Sequence, residues 1–330
     1  MKKLYILMLI AAAAFFNMSC EETVSPKAAF KEQYVLTCIV NISADTVLAV
    51  ISKTYDVNGF NPEVNKVDPV LTGAEVTITQ GQTTYKLHEG ERLRADTSRY
   101  TSHQQYYIAV GVKFVDGKDL KIAAKLPNGR ILSAVTTPPD VPQIEFSYEF
   151  PNGVDPTINW YIAGDYYTAR WYPVNSNHYT FPRLSIPYQK NKEGKITSLR
   201  KIIPISYVKQ GDKLVPYYPG FTQADSCAFE YKSIVTSLHN LPEGDPNLTD
   251  YTLKYIDFEL LEFDAPLTTY YSSTNGQMDN FSIRTEEMVY SNISGGLGIF
   301  GTYRKTTVRK KLDAYYITTR LGFNWDKSGM

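Results

Sequence analysis

The sequence predicts a mainly β protein. An N-terminal β-sandwich of immunoglobulin or transthyretin type is followed by a second, larger antiparallel β domain with one short helix. Three observations carry this expectation. Twenty-six Tyr in 330 residues, with frequent Val, Ile and Thr, favour strands. In the first 140 residues, short apolar runs recur with a turn signal about every 8–12 residues. No strand run alternates with a long helix, which disfavours a parallel α/β sheet.

In chain order, residues 33–42 (QYVLTCIVNI) and 45–55 (DTVLAVISKTY) read as the first two strands, and residues 56–69 as a loop rich in Asn, Pro and Asp. In residues 73–79, Ala74, Val76 and Ile78 fall on one face, and Gln80-Gly81 turns the chain into residues 83–87. Residues 105–115 make a longer strand. Asp116-Gly117 and Asn128-Gly129 are turn signals, and residues 131–137 close the series. Pro138, Pro139 and Pro142 cannot continue a central strand, so the domain boundary is placed there. The Cys-Trp-Cys core of antibody domains is absent. Beyond the boundary, residues 144–150, 157–163, 166–171, 179–186, 202–208, 227–235 and 252–263 read as strands. In the last, Tyr255, Asp257, Glu259 and Leu261 alternate with Ile256, Phe258 and Leu260, which predicts one wet and one buried face. Residues 265–275 are the helix candidate, ended by Asn275-Gly276. Residues 288–293, 299–308 and 312–319 finish the sheet. The expected organisation is a signal peptide over 1–19, a tether over 20–31, a β-sandwich over 32–140 and a C-terminal β domain over 141–325.

Lys2 and Lys3 precede thirteen apolar residues, Leu4 to Phe16. A membrane span needs about 20, so the run reads as a signal peptide. It ends at Asn17-Met18-Ser19-Cys20, which looks like a lipoprotein processing site, although Asn17 stands where Leu is usual. This likeness implies that Cys20 is the acylated first residue of the mature chain; ordinary cleavage is the alternative. One acyl chain holds weakly, so a stable anchor needs several. Glu21 and Glu22 read either as an export signal to the outer face of the outer membrane or as a solvated tether. The expected location is the outer membrane, lipid-anchored, on its periplasmic or extracellular face.

Charge excludes one class of partner. Residues 1–19 hold two lysines and no acid, leaving 32 basic against 34 acidic residues. A nucleic-acid binder shows a clustered basic surplus, so no nucleic-acid partner is expected. The dense basic group Arg304, Lys305, Arg309, Lys310 and Lys311 reads as a solvated face. Cys38 and Cys227 make at most one disulfide, and their apolar settings favour buried free thiols.

No motif encodes a metal, cofactor or catalytic constellation. None of His88, His103, His178 and His239 is spaced i, i+4 with another, so no zinc helix is written and each reads as a loop or rim residue. There is no G-x-S-x-G elbow, and Ser226-Cys227 has no nearby His. The loop from Asp56 to Glu63 departs from a calcium loop, with Phe60 and Asn61 at positions five and six. Glu286-Glu287, and Glu259 with Glu262, are paired acids expected to be solvated at strand exits. The positive signal is aromatic: Trp160, Tyr161, Tyr166, Tyr167, Trp171 and Tyr172 lie within thirteen residues. Alternation sends one member of each pair inward and the other toward solvent. They are candidate ligand-binding anchors, or else core and interface packing. Tyr217, Tyr218, Phe221, Tyr270 and Tyr271 are candidates to extend the same surface.

Residues 288–301 (MVYSNISGGLGIFG) contain a literal G-x-G-x-x-G at Gly296, Gly298 and Gly301. A dinucleotide site requires a helix to open on it, but residues 302–308 are β-branched and alternating. The stretch therefore reads as a glycine turn where strands approach closely. Together with the acidic lipoprotein start, the Thr72-Gly73-Ala74-Glu75-Val76-Thr77-Ile78 segment and Thr136-Thr137-Pro138-Pro139, this motif, with Gly295, Gly296, Gly298 and Gly301, resembles the Bacteroidota lipoproteins of domain-of-unknown-function family four-two-four-nine. The resemblance covers nearly the whole mature chain, and its glycine motif is the most specific part. It implies a non-enzymatic outer-membrane lipoprotein working beside a TonB-dependent transporter, as an accessory or a ligand-capture partner. It transfers no catalytic residue. A structural or adhesive cell-surface role is the second expectation, and a hydrolase, which needs acids or a Ser/His pair converging in a cleft, the third.

Overall fold

The computed structural model describes residues 29–59, 61–146, 166–172, 178–275 and 290–326. The chain is mainly β. Its first strands are β1 (Tyr34–Asn41), β2 (Thr46–Lys53), β3 (Glu75–Gln80), β4 (Thr83–Arg92), β5 (Gln104–Val110), β6 (Leu120–Lys125) and β7 (Ile131–Thr136). Then come β8 (Gln143–Phe146), β9 (Tyr166–Tyr172), β10 (Thr180–Lys192), β11 (Lys195–Ile203), β12 (Ser206–Gln210), β13 (Lys213–Tyr217) and β14 (Ser226–Glu230). Helix α1 (Tyr231–His239), β15 (Tyr251–Leu253), β16 (Tyr255–Phe263), α2 (Ala265–Asn275), β17 (Leu297–Lys311), a π-helical turn (Tyr316–Arg320) and β18 (Asn324–Trp325) follow.

Alternation does what period 2 dictates in the first half. In β3, Val76, Ile78 and Gln80 are buried while the residues between them are not. β4 serves two ladders: residues 83–87 pair with β3 and residues 88–92 with β5. Sheet neighbours run β18-β15-β10-β16-β17-β1-β2-β5-β4-β3-β6-β7, with β11 on β10. β17 is the seam of that path. Its first half runs parallel to β1, from Val35↔Leu297 to Asn41↔Tyr303, and its second half runs antiparallel to β16. Phe300 of β17 consequently belongs to the core built on Leu36, Ile51, Ile78, Ile122 and Leu132. A second core gathers Trp171, Leu184, Phe229, Ile234, Phe258 and Ile317. Each such aliphatic or aromatic side chain contributes about 1.5–3 kcal/mol on burial.

Several expected strands differ. Residues 227–235 are strand only to Glu230, where α1 begins. Tyr231, Ile234 and Leu238 then fall on one helical face and are buried together. Residues 312–319 are not a strand; the π-helical turn buries Ile317 beside Leu312. Of residues 288–293, the described part (290–293) is in no strand. Asn292 replaces a strand partner there: its amide oxygen accepts from the Phe300 N–H at 2.9 Å and its Nδ2 donates to the Phe300 carbonyl at 2.7 Å. The expected wet face of β16 is also overturned. Every residue from Ile256 to Leu260 is buried, Asp257 and Glu259 included, because β10, β11 and β17 bring long basic side chains over that face. Residues 157–163 lie outside the described residues. Residues 265–275 form α2 as expected.

Candidate functional site

Two groups of ionisable residues flank β16, one on each face, and they differ in how they are satisfied. On the outer face the side chains of Asp257 and Glu259 are each 1% exposed. Arg309 grips Asp257 through two bonds, Nε to Oδ1 at 2.7 Å and Nη2 to Oδ2 at 2.8 Å. Arg200 donates to Glu259 Oε1 at 2.6 Å, Lys305 pairs with the same oxygen, and Arg183 stands 3.8 Å from Oε2. Burial opposes ionisation of Glu259, but Arg200 and Lys305 outweigh it and hold the carboxyl below its ordinary range. The basic group on β17 is thus not a free solvated face: Lys305 and Arg309 neutralise buried acids, and Arg304 pairs with Asp116.

Glu259 and Glu262 are not a facing pair, since residues three apart on a strand point to opposite sides. Glu262 instead continues the parity of Ile256, Phe258 and Leu260, which run into the core, and it is 4% exposed. Its sheet neighbours are Thr180 on β10 and Arg304 on β17. Here the core face opens into a cleft of about 580 Å³ lined by the strap after β7, His178 and the start of α2. Pro138, Pro139, Pro142 and Pro266 wall it, and Asp140, His178 and Glu262 supply its ionisable groups. Asp140 is seated by the glycine of the Asp116-Gly117 turn. Gly117 has φ +63°, and a Cβ there would stand 3.0 Å from Asp140 Oδ1.

Glu262 Oε2 has no hydrogen-bond partner among the described residues. Burial raises the Glu262 carboxyl to about 7; Arg304 pulls the other way and Asp140 adds to the rise. Burial also lowers His178, against Asp140. The Arg304 guanidinium is engaged elsewhere, with Asp116 and, at 3.2 Å, the Pro139 carbonyl. The hydroxyls at the end of β7 and on the strap are engaged too. Thr137 donates to Asp119 at 2.6 Å and Thr136 to the buried Asp264 at 2.5 Å. Asp264 caps α2 by accepting from the Leu267 N–H at 2.9 Å, which fixes that wall of the cleft.

The glycine motif holds the frame behind the cleft. A Cβ on Gly295 would strike the Ile131 carbonyl, and one on Gly298, where φ is +120°, the Leu36 carbonyl. A Cβ on Gly296 would be 2.5 Å from the Tyr34 carbonyl, and one on Gly301 2.5 Å from Leu267 Cγ of α2. The motif feeds directly into β17, with no helix opening on it, so its glycines serve close backbone approach.

Of the six aromatic candidates, Trp160 and Tyr161 lie outside the described residues, as do Cys20 and Glu286-Glu287. The other four alternate along β9. Tyr167 and Trp171 are in the core against Phe146 and Phe258, whereas Tyr166 and Tyr172 are each 50% exposed. Tyr172 donates to Glu145 Oε2 at 3.0 Å. Phe221 and Tyr271 stack at 4.6 Å in a separate cluster with Phe181, Phe263 and Tyr303, so they do not extend the β9 surface. His88, His103 and His239 are exposed. Cys38 and Cys227 are free thiols, each pushed up to about 12 by burial. Among the described residues no three His, Cys, Asp or Glu side chains converge as metal ligands.

Sequence reasoning missed the cleft. The signal for Glu262 was present as an acid at core parity in β16, but Asp140 and His178 carry no local pattern that links them to it. No helix among the described residues is long and apolar enough to cross a membrane. No curated protein matches the chain. A family model does, over residues 21–309, and on that match the chain belongs to the family described as Domain of unknown function (DUF4249).

Proposed function

We propose that this protein is a lipid-anchored, non-enzymatic outer-membrane lipoprotein, tethered through Cys20, that acts as an accessory or ligand-capture partner of a TonB-dependent transporter. The observation that carries the reading is the proline-walled cleft at Glu262. It is lined by Glu262, a buried carboxyl that makes no hydrogen bond among the described residues, while its two threonine hydroxyls are occupied by Asp264 and Asp119. With both hydroxyls occupied, neither is placed as a nucleophile, and the apolar walls with a few polar groups suit holding a ligand. The Met18-Ser19-Cys20 sequence after an apolar run supports the anchor.

Co-purification tests it. The chain is tagged after Met330, the outer membrane is solubilised in mild detergent and the associated proteins are identified. A stoichiometric transporter is expected, and Cys20→Ala is expected to release the protein from the membrane fraction. Recovery of the protein alone counts against the transporter role. The second reading, a structural or adhesive surface protein, draws on the β12–β13 hairpin, where every residue of β13 is exposed and Leu214 and Tyr217 are among the exposed apolar side chains. Recovery of its own polymers would favour that reading.

A further inference from the structure

We propose that the cleft at Glu262 binds a protonated amine, an ammonium or guanidinium group on a short apolar stem. This deepens the ligand-capture reading by naming the chemistry of its ligand.

Glu262 stands apart from its neighbours in how its oxygens are satisfied. The other buried acids around β16 are matched by protein donors: Asp257 by Arg309, Glu259 by Arg200 and Lys305, and Asp264 by two hydroxyls and two backbone N–H groups. Glu259 keeps one bonded oxygen, and its bare Oε2 has Arg183 at 3.8 Å; Glu262 makes no hydrogen bond among the described residues, and it lines open volume. A buried carboxylate oxygen without a donor is unfavourable, so a donor supplied from outside gains the full difference.

The charge around Glu262 also favours a cation. Among the described residues, the ionisable groups facing Glu262 are Asp140 on the strap, His178 before β10 and Arg304 on β17; α2, which forms another wall, carries no charged residue. Arg304 is committed to Asp116 and the Pro139 carbonyl, and burial disfavours a charge on His178. Among the described residues, Arg304 attracts Glu262 but hydrogen-bonds elsewhere, so two carboxyls face the volume without a hydrogen-bonded cation. A bound cation would answer both.

The cleft's shape fits a short apolar stem. Pro138, Pro139, Pro142, Pro266 and Ala265 give rigid apolar walls suited to methylenes, with the acids placed for the charged head. The volume of about 580 Å³ lies within the usual range for small ligands. Asp140, Glu262 and His178 do not converge as a metal-ligand group among the described residues, whereas an ammonium needs only one or two acceptors.

The test is calorimetric titration of the detergent-solubilised full chain with hexylamine and agmatine, using hexanol and hexanoate as neutral and anionic controls. A lysine tripeptide beside its glutamine analogue separates a free amine from a protein side chain as the source. The amines are expected to bind and the controls not to. Glu262→Gln is expected to weaken binding by about tenfold or more, and Asp140→Asn by a smaller factor. Because a cation favours the ionised Glu262, affinity should rise about tenfold between pH 6 and 8 as a group near pH 7 ionises, and Glu262→Gln should flatten that rise. Absence of amine binding, equal binding of hexanol or hexanoate, or an unchanged affinity and pH profile in Glu262→Gln overturns the proposal. None of these outcomes bears on whether a transporter co-purifies, so the two readings fail separately.

Discussion

Asp264 offers a direct test of how β7, β17 and α2 are held in one frame. It is fully buried, with 0% exposure, between β16 and α2. Its Oδ2 accepts from Thr136 Oγ1 at 2.5 Å, the Thr302 N–H at 2.5 Å and Thr302 Oγ1 at 2.8 Å, while Oδ1 accepts from the Leu267 N–H at 2.9 Å. Asp264→Ala deprives four donors of their acceptor. The two hydroxyls can rotate toward other acceptors, but the two backbone N–H groups cannot, and each orphaned donor costs about 1–3 kcal/mol. The expected loss is about 4 kcal/mol, against a total of roughly 5–15 for a folded domain. Urea unfolding followed by tryptophan fluorescence, with linear extrapolation, measures it. In a Thr136→Val background the same substitution should cost about 1 kcal/mol less, because one of the donors is already gone. A loss below about 1 kcal/mol, or strict additivity with Thr136→Val, would refute the view that Asp264 pins three elements together.

Gly298→Ala meets both a φ of +120° and the Leu36 carbonyl, so it should destabilise by about 3 kcal/mol or more, whereas Gly81→Ala, at φ +57° with open space, should cost only about 1; equal costs in chemical denaturation would remove the close-approach reading of the motif. Glu262 gives a pH dependence of defined sign. Its folded value of about 7 lies above the ordinary 4.5, so its contribution is fully present below about pH 4.5 and is lost as pH rises through about 7, at most about 3 kcal/mol. The denaturation midpoint should fall more between pH 5 and 8 in the native chain than in Glu262→Gln, and parallel pH profiles would contradict this. On β9, Trp171→Ala should cost about 4 kcal/mol and Tyr172→Ala under about 1, since one ring is buried against Phe258 and the other is half exposed; thermal melts of the two variants decide it.

What the sequence determined by itself is local. Period 2 put Val76 and Ile78 on one face of β3 and sorted Tyr166 from Tyr167 and Trp171 from Tyr172 along β9, because a strand's side chains alternate whatever surrounds it. Asn275-Gly276 marked the end of α2, and the glycines at 295–301 announced close backbone contact because no side chain fits there. Periodicity failed in short segments where an apolar run serves either period, as at residues 231–235, which became α1, and at residues 316–319, which joined the π-helical turn. Alternation also separates the two faces of β16 without saying whether the second is covered. Arg183, Arg200, Lys305 and Arg309 cover it from three other strands, so Asp257 and Glu259 are buried acids rather than wet ones. The parallel pairing of β1 with β17 and the meeting of Asp140, His178 and Glu262 join parts of the chain far apart in sequence. Such contacts depend on which surfaces remain unpaired once the local elements exist, and no short window of sequence holds that information. Tertiary packing alone decided that one acid at core parity would face a cleft.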